Sequence, residues 1–272
     1  MRALVADPAA SPALSLTDVP EPAPGPGQLL LEMEAASVNR GEIRSAAKQP
    51  PGTVIGWDVA GTVAALGEGV ATFDVGERVV ALSPGGGSFA ERVVVPAEWT
   101  APLPAACDFV TAAALPVAGV TAASILRLAR AHAGDRVLVT GAAGDVGQFT
   151  LQLALQTRAT VTGQAGSEER AAAVRATGAE ALVHPGDGSP VDGEFDVVLD
   201  GIGGPMLAPL LDAGVRCFPT LPLLSEAWTL RANVSATDAC YVALARDLRC
   251  PLVTRDLRLS RTPGLGVPMI TV

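Results

Sequence analysis

Val137-Leu-Val-Thr-Gly141-Ala-Ala-Gly144-Asp-Val-Gly147 carries an apolar run into a glycine-spaced turn and on into a helix. Residues of these types at this spacing can hold a pyrophosphate. Val137 to Val139 suit a buried parallel strand. Gly141, Gly144 and Gly147 have no Cβ, so the backbone can turn tightly, approach an anion and let the next helix pack close on the strand. The main-chain N–H groups of the turn, which also contains Ala142, Asp145 and Val146, then face the anion at a helix N-terminus. An empty strand-to-helix turn could use the same residues. The motif gains meaning from its position between a strand and a helix.

A second set lies at the end of the next strand, Val161-Thr-Gly163-Gln164-Ala-Gly166-Ser167-Glu-Glu-Arg170. A site for NAD places Asp or Glu about 20 residues beyond the glycine turn, to hold the ribose 2′-hydroxyl. Gln164 stands there instead, so no carboxylate repels a 2′-phosphate. Ser167 can donate a hydrogen bond and Arg170 a positive charge, which points to NADPH. Ser167 can equally cap the following helix, with Glu168 and Glu169 complementing its dipole. The two roles are compatible.

The elements that must position these groups are bounded by composition. At 272 residues the chain predicts about two domains. It is 49% apolar and 17% charged, enough for a large core and against disorder. Its net charge of −9 argues against a nonspecific grip on nucleic acid, which needs clustered Lys and Arg. The N-terminal residues turn polar before any signal-peptide core forms. Phe109 to Leu126 is uncharged and long enough to raise the question of a spanning helix, but Pro116 and Gly119 break it, which predicts buried helix beside a turn. Cys107, Cys217, Cys240 and Cys250 are scattered, as expected for reduced thiols in the cytoplasm.

The first hundred residues read as β-rich. Strands are expected in Leu29–Ala35, Gly61–Ala65, Arg78–Leu82 and Arg92–Val95, punctuated by Pro and Gly. Ala112 to Ala133 turns helical. Strands at 136–140, 159–164, 181–184 and 195–200 then alternate with helices at 145–157, 168–177 and 205–213, which implies a parallel sheet. Beyond Pro219 and Pro222 the character changes. Helices are expected at 225–231 and from about 235 to 248, a strand at Leu252–Thr254, a short helix after Asp256 and a last strand near Met269–Thr271.

Residues 1 to about 213 resemble the zinc-free quinone oxidoreductase branch of the medium-chain dehydrogenase/reductase superfamily. The resemblance is carried by Ser37-Val-Asn39-Arg-Gly-Glu42, Gly56-Trp-Asp58-Val-Ala-Gly61, Phe73-Asp-Val-Gly-Glu-Arg-Val79, Leu115-Pro-Val-Ala-Gly119-Val-Thr121-Ala, the Gly141 turn and Val198-Leu-Asp200-Gly-Ile-Gly-Gly204. It implies a GroES-like substrate domain over 1–118 and a Rossmann NADPH-binding domain over 119–214. It also implies Asn39 near nicotinamide and substrate, Thr121 at the nicotinamide end, and Asp200 and Gly201 at the cofactor. The Ser-x-x-basic pattern of Ser167 and Arg170 is similar to that of NADP-type relatives. Asn39 can alternatively serve as a turn-forming amide before Gly41, and Asp58 as a structural hydrogen-bonder. Zinc-dependent relatives place a Cys near Val38 and a Gly-His-Glu triplet where Gly56-Trp57-Asp58 stands here. Neither Cys nor His is present, so no zinc is expected.

The pattern breaks near Gly214. Residues 215–272 resemble the C-terminal half of a VapC-type PIN-domain ribonuclease through Leu230-Arg231-Ala-Asn233-Val-Ser235, Thr237-Asp238-Ala-Cys-Tyr241 and Pro251-Leu-Val-Thr254-Arg-Asp256. In such nucleases clustered acids hold Mg²⁺, which activates water against RNA. Asp238 and Asp256 match the later acids and the earlier ones have no counterpart, so both can instead serve helix starts. The fold class expected is therefore α/β: a β-rich GroES-like domain, then an incomplete Rossmann-type parallel sheet. Strands of the PIN-like tail could extend that sheet to the order 3-2-1-4-5-6. The function expected is zinc-independent, NADPH-dependent hydride transfer to a small molecule, a quinone or α,β-unsaturated carbonyl. No nucleic-acid or membrane partner is expected, and pairing as a homodimer is. The alternatives are a Mg-dependent ribonuclease toxin fragment and a non-catalytic fusion product.

Overall fold

The computed structural model describes residues 1–206, 210, 242, 245–246, 252–254 and 257–271. The chain divides into two units, Met1–Ala213 and Gly214–Val272.

The first unit opens with β1 (Arg2–Ala6) and β2 (Leu14–Asp18), an antiparallel pair. A five-stranded antiparallel sheet follows, built from β3 (Gln28–Ala35), β4 (Asp58–Leu66), β5 (Arg78–Leu82), β6 (Arg92–Pro96) and β7 (Thr100–Pro102) in the order β6-β3-β4-β5-β7. Its strands bury alternate residues. Leu29 and Leu31, Val59 and Val63, and Val93 and Val95 meet in one apolar core. That period of two turns one face into this core, while Ala60 and Val80 on the other face pack with Leu103, Ala112 and Ala113. The four strands expected here all form; β1, β2 and β7 are additions to that reading.

Between β3 and β4 lies α1 (Arg40–Ala46), where the sequence suggested a turn. Asn39 caps it, and the Glu42 carboxylate reaches back to accept the Asn39 N–H. This reciprocal arrangement stabilises so short a helix. The uncharged run after Asp108 splits into α2 (Phe109–Ala113) and α3 (Pro116–Ala129), with Pro116 at the first turn of α3. Among the described residues no helix is long and apolar enough to cross a membrane.

The parallel sheet is made of β8 (Arg136–Val139), β9 (Thr160–Ala165), β10 (Glu180–Val183) and β11 (Val197–Leu199), joined by α4 (Asp145–Gln156) and α5 (Glu168–Ala176). Its order is β10-β9-β8-β11 with every pair parallel. Val137, Val139, Leu151, Val161, Val174 and Leu199 pack as its core. The chain winds outward from β8 through β9 to β10, then returns to the far side of β8 to lay down β11. The strand order reverses there, and ligands of such sheets bind at the carboxyl ends of the strands flanking the reversal.

In the second unit β12 (Leu252–Thr254), α6 (Leu257–Ser260) and β13 (Met269–Thr271) form a strand-helix-strand unit. The strands pair in parallel, Leu252 opposite Met269, as a two-stranded sheet of their own instead of extending the four-stranded one. The crossover through α6 brings β13 directly beside β12, which satisfies the need of parallel neighbours for a long connection. The helix expected at 205–213 starts as a 3-10 turn, Gly204–Met206, and most of its remainder lies outside the described residues. So do the helix expected at 225–231 and most of that at 235–248.

Candidate functional site

A cleft of about 670 Å³ opens at the carboxyl ends of β8, β9 and β11. One wall is the glycine turn and the start of α4; the other is α1 with Trp57.

Gly141 sits at φ +61°, the left-handed conformation that turns the chain out of β8. A Cβ on Gly147 would lie 2.5 Å from the Gly141 carbonyl oxygen and 2.6 Å from Ala142 Cα, so only glycine lets α4 pack this close. Gly144 is the N-cap of α4, a helix of 12 residues. The N–H groups of Asp145, Val146 and Gly147 have no hydrogen-bond partner among the described residues; the first satisfied amide is that of Gln148, which donates to the Gly144 carbonyl at 2.8 Å. Three free donors at the positive end of a helix dipole, beside open cleft, suit a diphosphate. The residues present therefore fit the dinucleotide that the glycine spacing implies.

Gln164 takes part differently from the sequence expectation. The residue is 1% exposed. Its Oε1 accepts the Gly141 N–H at 2.9 Å, and its Nε2 donates to the His184 carbonyl. The carboxamide thus braces the glycine turn from behind and ties it to the chain leaving β10. Ala142 is fully buried and donates its N–H to the Gln164 carbonyl at 2.9 Å, so it supports the turn and does not line the cleft.

Ser167 caps α5, its Oγ accepting the Arg170 N–H at 3.4 Å. Arg170 lines the cleft, exposed and without an ion pair among the described residues. Thr121 lies on α3, exposed and outside the cleft lining. Asp200 and Gly201 line the cleft beside the glycine turn. The Asp200 carboxylate accepts the Thr140 hydroxyl and the N–H groups of Ile202 at 3.2 Å and Gly203 at 2.9 Å, while Thr140 Oγ1 accepts the Gly201 N–H at 2.9 Å. Asp200 therefore shapes the loop that follows β11. Thr140, buried between β8 and that loop, is a positioning residue the sequence reading missed; its polar side chain at the end of an apolar strand was the available signal.

On the opposite wall, Asn39 is held by Asp58. Asn39 Nδ2 donates to Asp58 Oδ2 at 2.8 Å, the Ser37 hydroxyl donates to the same oxygen, and Oδ1 accepts the Val117 N–H at 2.8 Å. Asp58 is 1% exposed. With three donors on two oxygens it joins the loop before α1, strand β4 and the first turn of α3, and it has the structural role read for it from sequence. Glu42, equally buried, accepts the N–H groups of Asn39 and Trp57. Burial pushes its carboxyl above the usual range, against the opposing pull of those hydrogen bonds. Asn39 is thus both a helix cap and a cleft-lining amide.

Asp238 and Asp256 lie outside the described residues. Among those described, no group of three or more His, Cys, Asp or Glu could hold a metal ion. Where zinc-dependent relatives carry ligands, Trp57 is present and both oxygens of Asp58 are already engaged. His184 is 7% exposed and committed to its own loop: Nδ1 accepts the Gly186 N–H at 3.0 Å, leaving Nε2 to carry the proton.

Comparison with known proteins agrees with this layout. Residues 25–105 match the family model described as alcohol dehydrogenase GroES-like domain. Rat quinone oxidoreductase is 39% identical over 183 residues, 65% of this chain and 55% of the relative. The chain thus spans about half the length of the curated relatives it matches. Among solved structures, a 2-haloacrylate reductase is 31% identical with a TM-score of 0.68, over 78% of this chain and 69% of that one. The Escherichia coli quinone oxidoreductase complexed with NADPH is 26% identical with a TM-score of 0.62, over 67% of this chain and 58% of that one.

Proposed function

From the premise that the chain belongs to the medium-chain dehydrogenase/reductase superfamily, in its quinone oxidoreductase branch, we propose that it is a zinc-independent, NADPH-dependent oxidoreductase acting on a quinone or α,β-unsaturated carbonyl. The observation that carries this reading is a single cleft offering three unpaired helix-start amides, those of Asp145, Val146 and Gly147, on one wall and the Asn39 amide on the other.

When bound, NADPH supplies the hydride. The free amides of the α4 start hold the diphosphate, and the unpaired Arg170 guanidinium takes the additional 2′-phosphate. No carboxylate opposes it at the end of β9, because Gln164 is neutral and turned into the core. Asn39 has two Nδ2 hydrogens and Asp58 engages one. The other is available to a substrate carbonyl, where it stabilises the charge that develops on oxygen as hydride arrives. Asp58 fixes the amide beforehand, so little reorganisation accompanies the step.

Calorimetric titration with NADPH and with NADH tests the cofactor assignment, with Arg170→Ala as the control. NADPH is expected to bind at least about tenfold tighter, and the substitution to remove most of that difference. Equal binding of the two nucleotides, or no effect of Arg170→Ala, overturns the assignment. NADPH consumption with a model quinone then tests turnover.

A further inference from the structure

Two arginines in the cleft have no task in the scheme above. Arg40 and Arg44 both line it, on the same wall as Asn39. They stand four residues apart on α1, so their side chains leave the same helix face, with Cα atoms about 6 Å apart. Glu42, between them, is turned into the interior. The face is held in place because the Asn39 cap is tied to Asp58 and Glu42 is tied to the N–H groups of Asn39 and Trp57.

Neither guanidinium makes a hydrogen bond or ion pair among the described residues. The chain has 28 acidic side chains to 19 basic ones, and Arg2, Arg92, Arg136 and Arg175 each find a carboxylate. The cofactor's anionic groups are met on the other wall, by the α4 amides and Arg170. A neutral quinone offers nothing to a pair of guanidinium groups.

We infer that Arg40 and Arg44 form an anion subsite for the substrate, and that the preferred acceptor is an α,β-unsaturated carbonyl compound bearing a carboxylate. The inference rests on the hydride-transfer reading of the cleft and names the substrate class it serves. A carboxylate accepts two parallel N–H bonds from one guanidinium, a geometry Lys cannot supply, and an arginine pair can hold it from two sides. Arg40 adjoins Asn39 in sequence, so an anion gripped there leaves the carbonyl of a short enone within reach of the Asn39 amide.

The probes are trans-3-benzoylacrylate and its methyl ester, which share the enone and differ in charge. Binding of each is measured by calorimetry, to the protein alone and to the protein with NADP⁺, and reduction is followed by NADPH consumption. The acid is expected to bind about tenfold tighter than the ester. Arg40→Ala and Arg44→Ala should each erode that preference, leaving ester binding and NADPH affinity unchanged, and added salt should weaken the acid selectively. Acid and ester binding alike overturns the inference. So does a loss of NADPH affinity in either variant with acid binding intact, which would assign the arginines to the cofactor. Absence of NADPH binding by the unaltered protein instead defeats the hydride-transfer reading, while acid-over-ester binding dependent on the two arginines still decides the subsite.

Discussion

Asn39 and Asp58 are joined by a hydrogen bond of 2.8 Å from Nδ2 to Oδ2, and the same carboxylate accepts the Val117 N–H at the start of α3. One buried side chain thereby sets the position of the cleft amide and anchors the helix that leads into the parallel sheet. Asp58→Asn brings a second amide N–H against donors and should displace Asn39. Asn39→Ala removes the carbonyl-polarising group directly. Both variants should bind NADPH as the parent does, while kcat with a model quinone falls about a hundredfold for Asn39→Ala. Parallel losses in nucleotide affinity would place Asn39 at the cofactor instead.

Asp58→Ala goes further, because it leaves three partly buried donors without their acceptor. It should cost about 3 kcal/mol of stability, read as a lower urea midpoint. A midpoint equal to the parent's would mean that the three hydrogen bonds contribute nothing net.

Gly147 and Gly144 should respond differently to the same added methyl group. A Cβ on Gly147 meets backbone at 2.5 Å, so Gly147→Ala forces α4 away from β8 and should lower stability by roughly 2 kcal/mol or more. A Cβ on Gly144 meets only the Gly141 carbonyl oxygen, at 3.3 Å, and Gly144 lines the cleft. Gly144→Ala should keep its melting temperature closer to the parent's and lose dinucleotide affinity, measured by tryptophan fluorescence quenching.

Gln164→Leu leaves the Gly141 N–H and the His184 carbonyl without their partner. One buried and one partly buried polar group left unsatisfied should cost about 2 kcal/mol, with weaker binding of NADPH and NADH alike because the shared diphosphate turn loosens. A selective change for one nucleotide would show that Gln164 reads the ribose.

Arg136 and Asp196 pair at 3.0 Å between the start of β8 and the segment before β11. The Arg136 side chain, and then its backbone N–H, hold the Asp196 carboxyl down at about 2 against an ordinary 3.8. The folded value lies below the unfolded one, so the pair's contribution is present above 3.8 and is lost as pH falls toward 2. An NMR carboxyl titration should find Asp196 near 2, and Arg136→Ala should return it toward the ordinary range.

The glycine turn was legible because its meaning is local: a strand, three missing side chains and a helix start can be read in eleven consecutive letters. The parallel sheet was legible for a related reason, since alternating apolar runs and helical periods dictate βα units one at a time. Helix α1 was not, because seven residues with an internal glycine have little intrinsic helicity. It forms on the reciprocal bonds between Asn39 and Glu42, with Glu42 further fixed by Trp57. Nor did the sequence show which way Gln164 faces. Its neutrality was plain from its letter, but its place against Gly141 depends on the separate strands β8, β9 and β10 meeting.

By itself, then, the sequence laid out the element grammar, the glycine spacing of the turn and the lack of a Cys near Val38 or a His at Trp57, because each rests on residue type and short-range geometry. Tertiary structure decided that Thr121 lies outside the cleft lining, that Asp200 shapes a loop, that β12 and β13 pair with each other, and that Arg40 and Arg44 line the cleft together with Asn39. The cleft itself, and the bond from Thr140 that holds Asp200, join segments far apart in the chain, and a buried hydrogen bond or a paired edge has no local signature to read.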